Sequence, residues 1–198
     1  MKAGKAKKFT VFQWINLFKN GGKFYHLADL MKLSGLGYFA ARKAAQKLVR
    51  ENILIKLYPE FFANGFSTPQ AEEVANVVYP PSYISCETAL FHHGIIDQAP
   101  FVIVSVSTRK SRRIRIGDNH FLYHRIKNSL FWGYTQELGY LMAEPEKALL
   151  DWLYLNPKKH VQFLLDEVNW DMLNAEKVKK YSRSFPEYVG KILGTHIQ

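Results

Sequence analysis

The sequence predicts an α+β protein with an N-terminal winged helix-turn-helix domain at residues 1–66 and a C-terminal α/β domain at residues 81–198. Two observations lead to this prediction. Between residues 24 and 66, a short helix, a Ser-Gly break, a longer basic helix and two β-rich runs follow one another at winged-helix spacing. Between residues 101 and 142, short alternating runs predict a small mixed or antiparallel sheet flanked by helices.

The charge of the chain is concentrated at one end. The 198 residues carry a formal net charge of +10, and a hydrophobic fraction of 47% argues for folded structure. Residues 1–66 hold 12 Lys and Arg against 3 acidic residues, whereas residues 128–198 hold 8 against 9. Because the excess charge coincides with the predicted helix-turn-helix, we expect a polyanionic partner there.

The compartment is predicted from cysteine usage and hydropathy. Cys86 is the single cysteine and cannot form an intramolecular disulfide, which favours a reducing cytoplasm. No apolar run approaches the ~20 residues that span a bilayer, and the first residues lack the apolar core of a signal peptide. We therefore expect a cytoplasmic protein with no membrane partner.

The first segment is basic and leads into a short helix. Its lysines are either an arm that touches phosphates or a solvated tail, and they are Lys2, Lys5, Lys7 and Lys8. Thr10 is the expected N-cap of the helix, and Asn20-Gly21-Gly22 ends it. Its apolar face is formed by Val11, Trp14, Ile15 and Phe18.

The third helix, expected at residues 37–52, has two different faces. A second helix with Leu27, Leu30 and Met31 inward precedes it and is broken at Ser34-Gly35. At 100° per residue, the small inner face consists of Ala41, Ala44, Ala45 and Leu48. Cations suit phosphates and guanine edges, and glutamine suits adenine, so the outer face is typical of DNA recognition, although a solvated basic face is the alternative. The candidate DNA contacts are Tyr38, Phe39, Arg42, Lys43, Gln46, Lys47 and Arg50.

A hairpin and a connecting helix follow. Residues 53–58 and 61–66 are the expected strands, with a turn at Pro59-Glu60. Because this tip lacks the glycine and cations of a typical wing, we expect it to pack on protein more than on phosphate. Residues 67–80 are predicted as a connecting helix and linker, with Ser67 or Thr68 as the cap.

The C-terminal domain is expected to begin with a helix that Ser85 caps and that ends at Gly94. Strands are predicted at residues 101–107, 112–116 and 121–126, with further short strands at residues 130–134 and 137–142. A helix from Pro145 covers one face of this sheet. Beyond residue 158, short helices interrupted at Pro186 are expected to close the domain.

Three segments of this region resemble the AbiEi family of bacterial antitoxins. They are Tyr83-Ile84-Ser85 at a helix start with Ala89-Leu90 and His93-Gly94, the strand at residues 102–107, and the helix opening at residues 143–151. The resemblance covers residues 10–165. It implies a bacterial type IV antitoxin that represses its own operon by binding inverted repeats in double-stranded DNA. It also implies a nucleotidyltransferase-like toxin as functional partner, without a tight complex.

A second basic run lies between residues 109 and 127, where seven cations stand against Asp118 alone. The run is either a solvated edge strand or a second nucleic-acid surface. Its cations are Arg109, Lys110, Arg112, Arg113, Arg115, Arg125 and Lys127.

Catalytic patterns are poor, so the sequence predicts no enzyme, no metal and no cofactor. His92 and His93 are adjacent on a helix, and no metal-protease or phosphate-loop motif occurs. Acid–base roles for three carboxylates are outweighed by capping and solvation of a helix start, and the carboxylates are Glu144, Glu146 and Asp151. The predicted function is a repressor and antitoxin. The alternatives are a stand-alone regulator whose C-terminal domain senses a ligand or partner, and, less favoured, a nucleic-acid-processing enzyme.

Overall fold

The computed structural model describes residues 9–67, 69–137, 139–156 and 161–194. The N-terminal lysines, predicted as an arm or tail, and Thr68, a predicted cap, lie outside these residues. The chain divides into two compact units, residues 1–70 and residues 71–198. Helices and two separate sheets make up these units, so the predicted α+β class is confirmed.

The first unit combines three helices with a three-stranded antiparallel sheet of order β1-β3-β2. Its elements are α1 Val11–Lys19, β1 Phe24–His26, α2 Leu27–Ser34, α3 Tyr38–Arg50, β2 Leu54–Tyr58 and β3 Phe61–Asn64. The short strand β1 was not predicted from the sequence. It pairs with β3 and so joins the predicted hairpin to the helices.

Local sequence explains where these helices begin and end. Thr10 caps α1 as predicted, since its side chain accepts a hydrogen bond from the Gln13 backbone N–H, and the Gln13 side chain completes a capping box. Gly35 ends α2 in the left-handed backbone conformation, with φ of 69°. Residues other than glycine rarely adopt this conformation. Thr10 thus determines where α1 begins, and Gly35 ends the short α2 shortly before α3.

The core of the first unit lies between the helices and the sheet. On the predicted inner face of α3, Ala41, Ala45 and Leu48 are each no more than 1% exposed, and Ala44 is half-buried. Buried Asn64 donates from its side chain to the carbonyls of Phe18 and Gly22, at 2.7 and 3.0 Å. These two bonds connect the end of β3 to the last turn of α1 and to the loop that follows it.

The second unit is built on a six-stranded mixed sheet of order β6-β7-β5-β4-β9-β8. Its strands are β4 Ser82–Ile84, β5 Ile103–Ser107, β6 Arg112–Ile116, β7 Asn119–Arg125, β8 Tyr134–Glu137 and β9 Tyr140–Ala143. Its helices are α4 Ala71–Val78, α5 Cys86–His92, α6 Pro145–Leu155, α7 Val161–Glu167, α8 Ala175–Ser182 and α9 Glu187–Leu193. Two pairs of strands are parallel, β4 with β9 and β5 with β7, which identifies the sheet as mixed.

The start of this unit differs from the prediction. Tyr83 and Ile84, expected to begin a helix, form strand β4, because they pair with β5 on one side and β9 on the other. Ser85 stands at the N-cap position of α5, but its side chain does not cap the helix. Helix α4, predicted as a connector, packs against β4, β5 and β9, and the Tyr123 hydroxyl donates to its Ala75 carbonyl at 2.7 Å.

The later strands and helices also refine the prediction. Residues 128–130, part of which was expected as strand, form a 3-10 turn, and β8 begins only at Tyr134. The C-terminal segment is divided as expected, since Pro186 stands directly before α9. Across the described residues, helices are too short or too polar to cross a membrane.

Candidate functional site

The outer face of α3 is open to solvent. Phe39 is 83% exposed and Tyr38 39% exposed, and the two rings meet edge to face at 5.3 Å. The polar candidate contacts are all exposed, and they are Arg42, Lys43, Gln46, Lys47 and Arg50. The structure therefore brings the predicted residues together on one helix surface, because the opposite surface is committed to the core.

A groove of about 540 Å³ lies between α3 and the β2-β3 hairpin. Its apolar floor includes Leu27, Val49 and Phe62. Its polar lining comes from both elements and consists of Arg42, Gln46, Arg50, Lys56 and Glu60. Lys56 was not among the predicted contacts. It is exposed on β2 and adds a cation to the groove that the α3 cations also line.

The hairpin tip is fastened to the helices. The Tyr38 hydroxyl donates to the Glu60 carboxylate at 2.5 Å, and the Leu27 backbone N–H donates to the Glu60 carbonyl at 2.8 Å. Glu60 has a backbone φ of 60°, which residues other than glycine, asparagine and aspartate seldom adopt. The bond to Glu60 is also the largest cause that raises the pKa of Tyr38. The tip therefore places a carboxylate beside the cations of α3.

The second basic run extends over the edge strand β6 and the residues before and after it. Arg109 stacks over the Tyr79 ring at 4.4 Å and donates to the Pro80 carbonyl at 3.1 Å. Arg112 lies over the same ring at 5.8 Å. Arg113 and Arg115 point to the other face, since neighbours on a strand alternate. The remaining cations, Lys110, Arg125 and Lys127, are exposed.

A buried polar cluster in the second unit was not predicted. It consists of Tyr83, Ser85, Lys147 and Asp151, each 0% exposed. Lys147 forms an ion pair with Asp151 one turn along α6 and donates to the Tyr83 hydroxyl at 2.7 Å. Tyr83 and Ser85 both donate to one Asp151 oxygen, at 2.9 and 2.8 Å.

This cluster corrects two predictions. Asp151 does not solvate a helix start, because it is fully buried, and Ser85 does not cap α5 with its hydroxyl, because that hydroxyl bonds Asp151. Burial lowers the pKa of Lys147 and raises the pKa of Asp151, while their mutual attraction opposes both shifts. Complete burial keeps the four groups from a substrate, so we interpret the cluster as the structural joint between α6 and the sheet.

The other two carboxylates at the start of α6 bind α8. Glu146, 4% exposed, accepts the Asn174 backbone N–H at 3.1 Å and pairs with Lys177 at 3.1 Å. Glu144 pairs with the same lysine at 3.4 Å and accepts the Tyr181 hydroxyl at 2.7 Å. Glu146 is thus buried against expectation, because a segment about 30 residues later in the chain covers it.

The histidines and the cysteine are also engaged. His93 bonds the Ala143 carbonyl at 2.8 Å, while His92 lies 3.4 Å from the Tyr140 hydroxyl. Cys86 is buried, and burial raises the pKa of its thiol well above the ordinary value. Among the residues that the structure describes, no three His, Cys, Asp or Glu side chains lie close enough to hold a metal ion.

The chain was compared with models of protein families and with curated proteins. No model of a protein family matches the chain. A search of curated proteins likewise finds no match. The exposed α3 surface and its groove are the candidate site because cations and apolar side chains line them together.

Proposed function

We propose that the chain is a DNA-binding transcriptional repressor whose first unit is a winged helix-turn-helix with α3 as the recognition helix. The observation that carries the proposal is the division of α3 into a buried alanine face and an exposed face of cations and glutamine. An α-helix of ~10–12 Å diameter fits the ~12 Å major groove of duplex DNA. Arg42, Lys43 and Gln46 would then reach base edges and phosphates.

The element order supports the same proposal. A short helix, α2, leads through Gly35 into α3, and the β2-β3 hairpin follows as the wing. Lys56 on the hairpin and Arg50 on α3 line one groove, so both elements offer cations to a single duplex. The exposed aromatic ring of Phe39 adds an apolar contact of the kind that a thymine methyl group accepts.

For the second unit we propose the role of a type IV antitoxin that counteracts a nucleotidyltransferase-like toxin. The support is the resemblance of residues 83–151 to the AbiEi family, together with the separate core of this unit. A unit with its own core can act apart from DNA binding. A toxin gene of this class beside the chain's own gene would support the proposal. Its absence would favour a regulator that senses a ligand or partner.

Substitution of the cations of α3 tests the DNA proposal. We expect Arg42→Ala with Lys43→Ala to weaken binding to the chain's own promoter at least tenfold, since each residue contributes a phosphate or base contact. Gel shift with the promoter fragment measures the effect. The matched control is Lys179→Ala with Lys180→Ala, which removes two exposed lysines from α8. Equal affinity of both double variants and the unchanged chain would refute the α3 assignment.

Truncation tests the antitoxin proposal. We expect residues 71–198 to fold and to rescue growth against the cognate toxin, because α4 belongs to this unit. Residues 81–198 lack α4 and expose Tyr123, so we expect a less stable fragment with weaker rescue. Circular dichroism measures the folding of both fragments. A folded 71–198 fragment that leaves the toxin fully active would contradict the proposed role.

A further inference from the structure

A second cavity lies at the edge of the six-stranded sheet where β6 and β7 pair. None of its lining residues belongs to α3. Its volume is about 360 Å³, near the lower end of the range for small-molecule sites, ~300–1,000 Å³. Strands β6 and β7 and the residue Val102 line it. The volume suits a single base or nucleotide, and the cavity has no part in the proposed DNA contacts of α3.

The cavity carries positive charge on one face of the sheet. Arg113 pairs directly with Leu122, and Arg115 with His120, and cross-strand partners point to the same face. All three cationic or ionisable side chains, Arg113, Arg115 and His120, are exposed. Arg115 donates its Nε–H to the Gly117 carbonyl at 3.1 Å, which uses one of the five N–H donors of the guanidinium. The face therefore presents two arginines, and a histidine, in a row.

An exposed aromatic residue adjoins the cavity in the chain. Phe101 is 97% exposed and directly precedes Val102, a lining residue of the cavity. Consecutive Cα atoms are ~3.8 Å apart, so the ring is within reach of the cavity rim. An aromatic ring with a free face next to arginines is the combination that single-stranded nucleic acids use, with the base stacked and the phosphate paired.

We propose that the cavity cations Arg113, Arg115 and His120, together with the neighbouring exposed Phe101, bind single-stranded nucleic acid. Duplex DNA offers phosphates to the arginines, but its bases are stacked inside the helix and give the Phe101 ring no partner. An acidic protein segment likewise offers charge without a planar base. The site is independent of α3 and does not rest on the proposed repressor function.

Fluorescence anisotropy of the full chain tests the site. The probes are fluorescein-labelled 12-nucleotide strands of uridine and of deoxyuridine, which differ only in the 2′-hydroxyl, and the chain carries Arg42→Ala and Lys43→Ala to silence α3. We expect Phe101→Ala to weaken binding about tenfold, the loss typical of one stacked base. We expect Arg113→Ala with Arg115→Ala to reduce the slope of log affinity against log salt by about 1.4.

The matched control removes two cations that do not line the cavity. Lys110→Ala with Arg112→Ala takes the same charge from the neighbouring positions of the run, and Arg112 lies over Tyr79 on the other face. We expect a clearly smaller loss of affinity in this control. All substituted side chains are exposed, so thermal melting by circular dichroism should show folded variants.

Comparison of the two probes identifies the strand. Tighter binding of uridine indicates RNA and a contact to the 2′-hydroxyl, whereas equal binding indicates recognition of the base and phosphate alone. Three outcomes would overturn the proposal: unchanged affinity in Phe101→Ala, equal losses in the control and the test pair, or preference of this face for a labelled duplex of the same length. Competition by polyglutamate as effective as that by the oligonucleotide would also overturn it.

Discussion

Each unit contains a helix with a lysine and an acid four residues apart, yet the two pairs have opposite surroundings. In α3, Lys47 lies 3.7 Å from Glu51, and their side chains are 54% and 39% exposed. In α6, Lys147 and Asp151 form the same spacing with 0% exposure of both. The exposed pair is surrounded by water, whereas the buried pair is enclosed by Tyr83, Trp132 and Phe185, whose rings lie 5.3 Å from the lysine nitrogen.

The contrast separates charge that serves binding from charge that serves folding. Exposed pairs contribute up to ~1 kcal/mol and leave their cations free to exchange partners. A buried charge whose partner is removed costs ~3–5 kcal/mol, because nothing else compensates it. The lysines of α3 are thus available to a polyanion, while Lys147 is committed to the fold. Gly133, with φ of 72°, supports that commitment, since an added Cβ would lie 3.0 Å from the Lys147 side chain.

The largest expected effect is the loss of the buried carboxylate. We predict that Asp151→Ala lowers the free energy of unfolding by about 3–5 kcal/mol, because Lys147 would stay buried without its partner. Urea denaturation measures the change. The matched variant Glu51→Ala removes the acid of the exposed pair and should lower stability by less than about 1 kcal/mol. Similar losses in the two variants would break the comparison.

The double variant Lys147→Met, Asp151→Leu sharpens this result. It removes both buried charges, so we expect it to be more stable than Asp151→Ala alone.

The reactivity of Cys86 reports on the packing around the cluster, since Cys86 is the single cysteine, is buried, and directly follows Ser85. Its raised pKa and burial predict slow reaction with a thiol reagent at pH 8 in the native chain and fast reaction in Asp151→Ala.

A smaller effect is expected at the hairpin tip. Glu60 is the acidic group in a groove lined by Arg42, Arg50 and Lys56, and it would repel a phosphate backbone. We predict that Glu60→Gln strengthens promoter binding about threefold, as removal of a like charge near a surface does. Gln keeps an acceptor for the Tyr38 hydroxyl. Glu187→Gln in α9 is the control and should leave affinity unchanged, and weaker binding by Glu60→Gln would contradict the prediction.

The smallest effect concerns the stability of α3. We predict that Lys47→Ala changes the free energy of unfolding by less than about 0.5 kcal/mol, since its pair with Glu51 is long and exposed. Urea denaturation in parallel with Asp151→Ala provides the measurement. A loss near that of Asp151→Ala would show that the α3 cations also serve the fold.

Local patterns were enough to predict α3 but not the cluster in α6. The faces of α3 follow from its period of 3.6 residues, because the alanines recur at a spacing that puts them on one side of the helix and the cations on the other. From the sequence, Asp151 was expected to solvate a helix start, and Lys147 had no assigned role. Their burial comes from Tyr83 and Ser85, which lie more than 60 residues earlier in the chain. Only the tertiary packing of α6 on the sheet brings these four side chains together.

The short strands were missed for a similar reason. β1 and β4 have three residues each, too few for an alternating pattern, and both stand directly before or near a helix start. Their pairing with strands distant in the chain determines their conformation. For the cluster in α6, the sequence does show one sign: Lys147 directly precedes, and Asp151 interrupts, the apolar run from Ala148 to Leu153.

The salt dependence of promoter binding tests the central claim most directly. If α3 holds phosphates through exposed cations, Arg42→Ala with Lys43→Ala should reduce the slope of log affinity against log salt by up to about 1.8, the value for two phosphate contacts on duplex DNA. Lys179→Ala with Lys180→Ala should leave the slope unchanged. An unchanged slope in the α3 variant, or the same reduction in the α8 variant, would contradict the assignment of α3 as the DNA-binding helix.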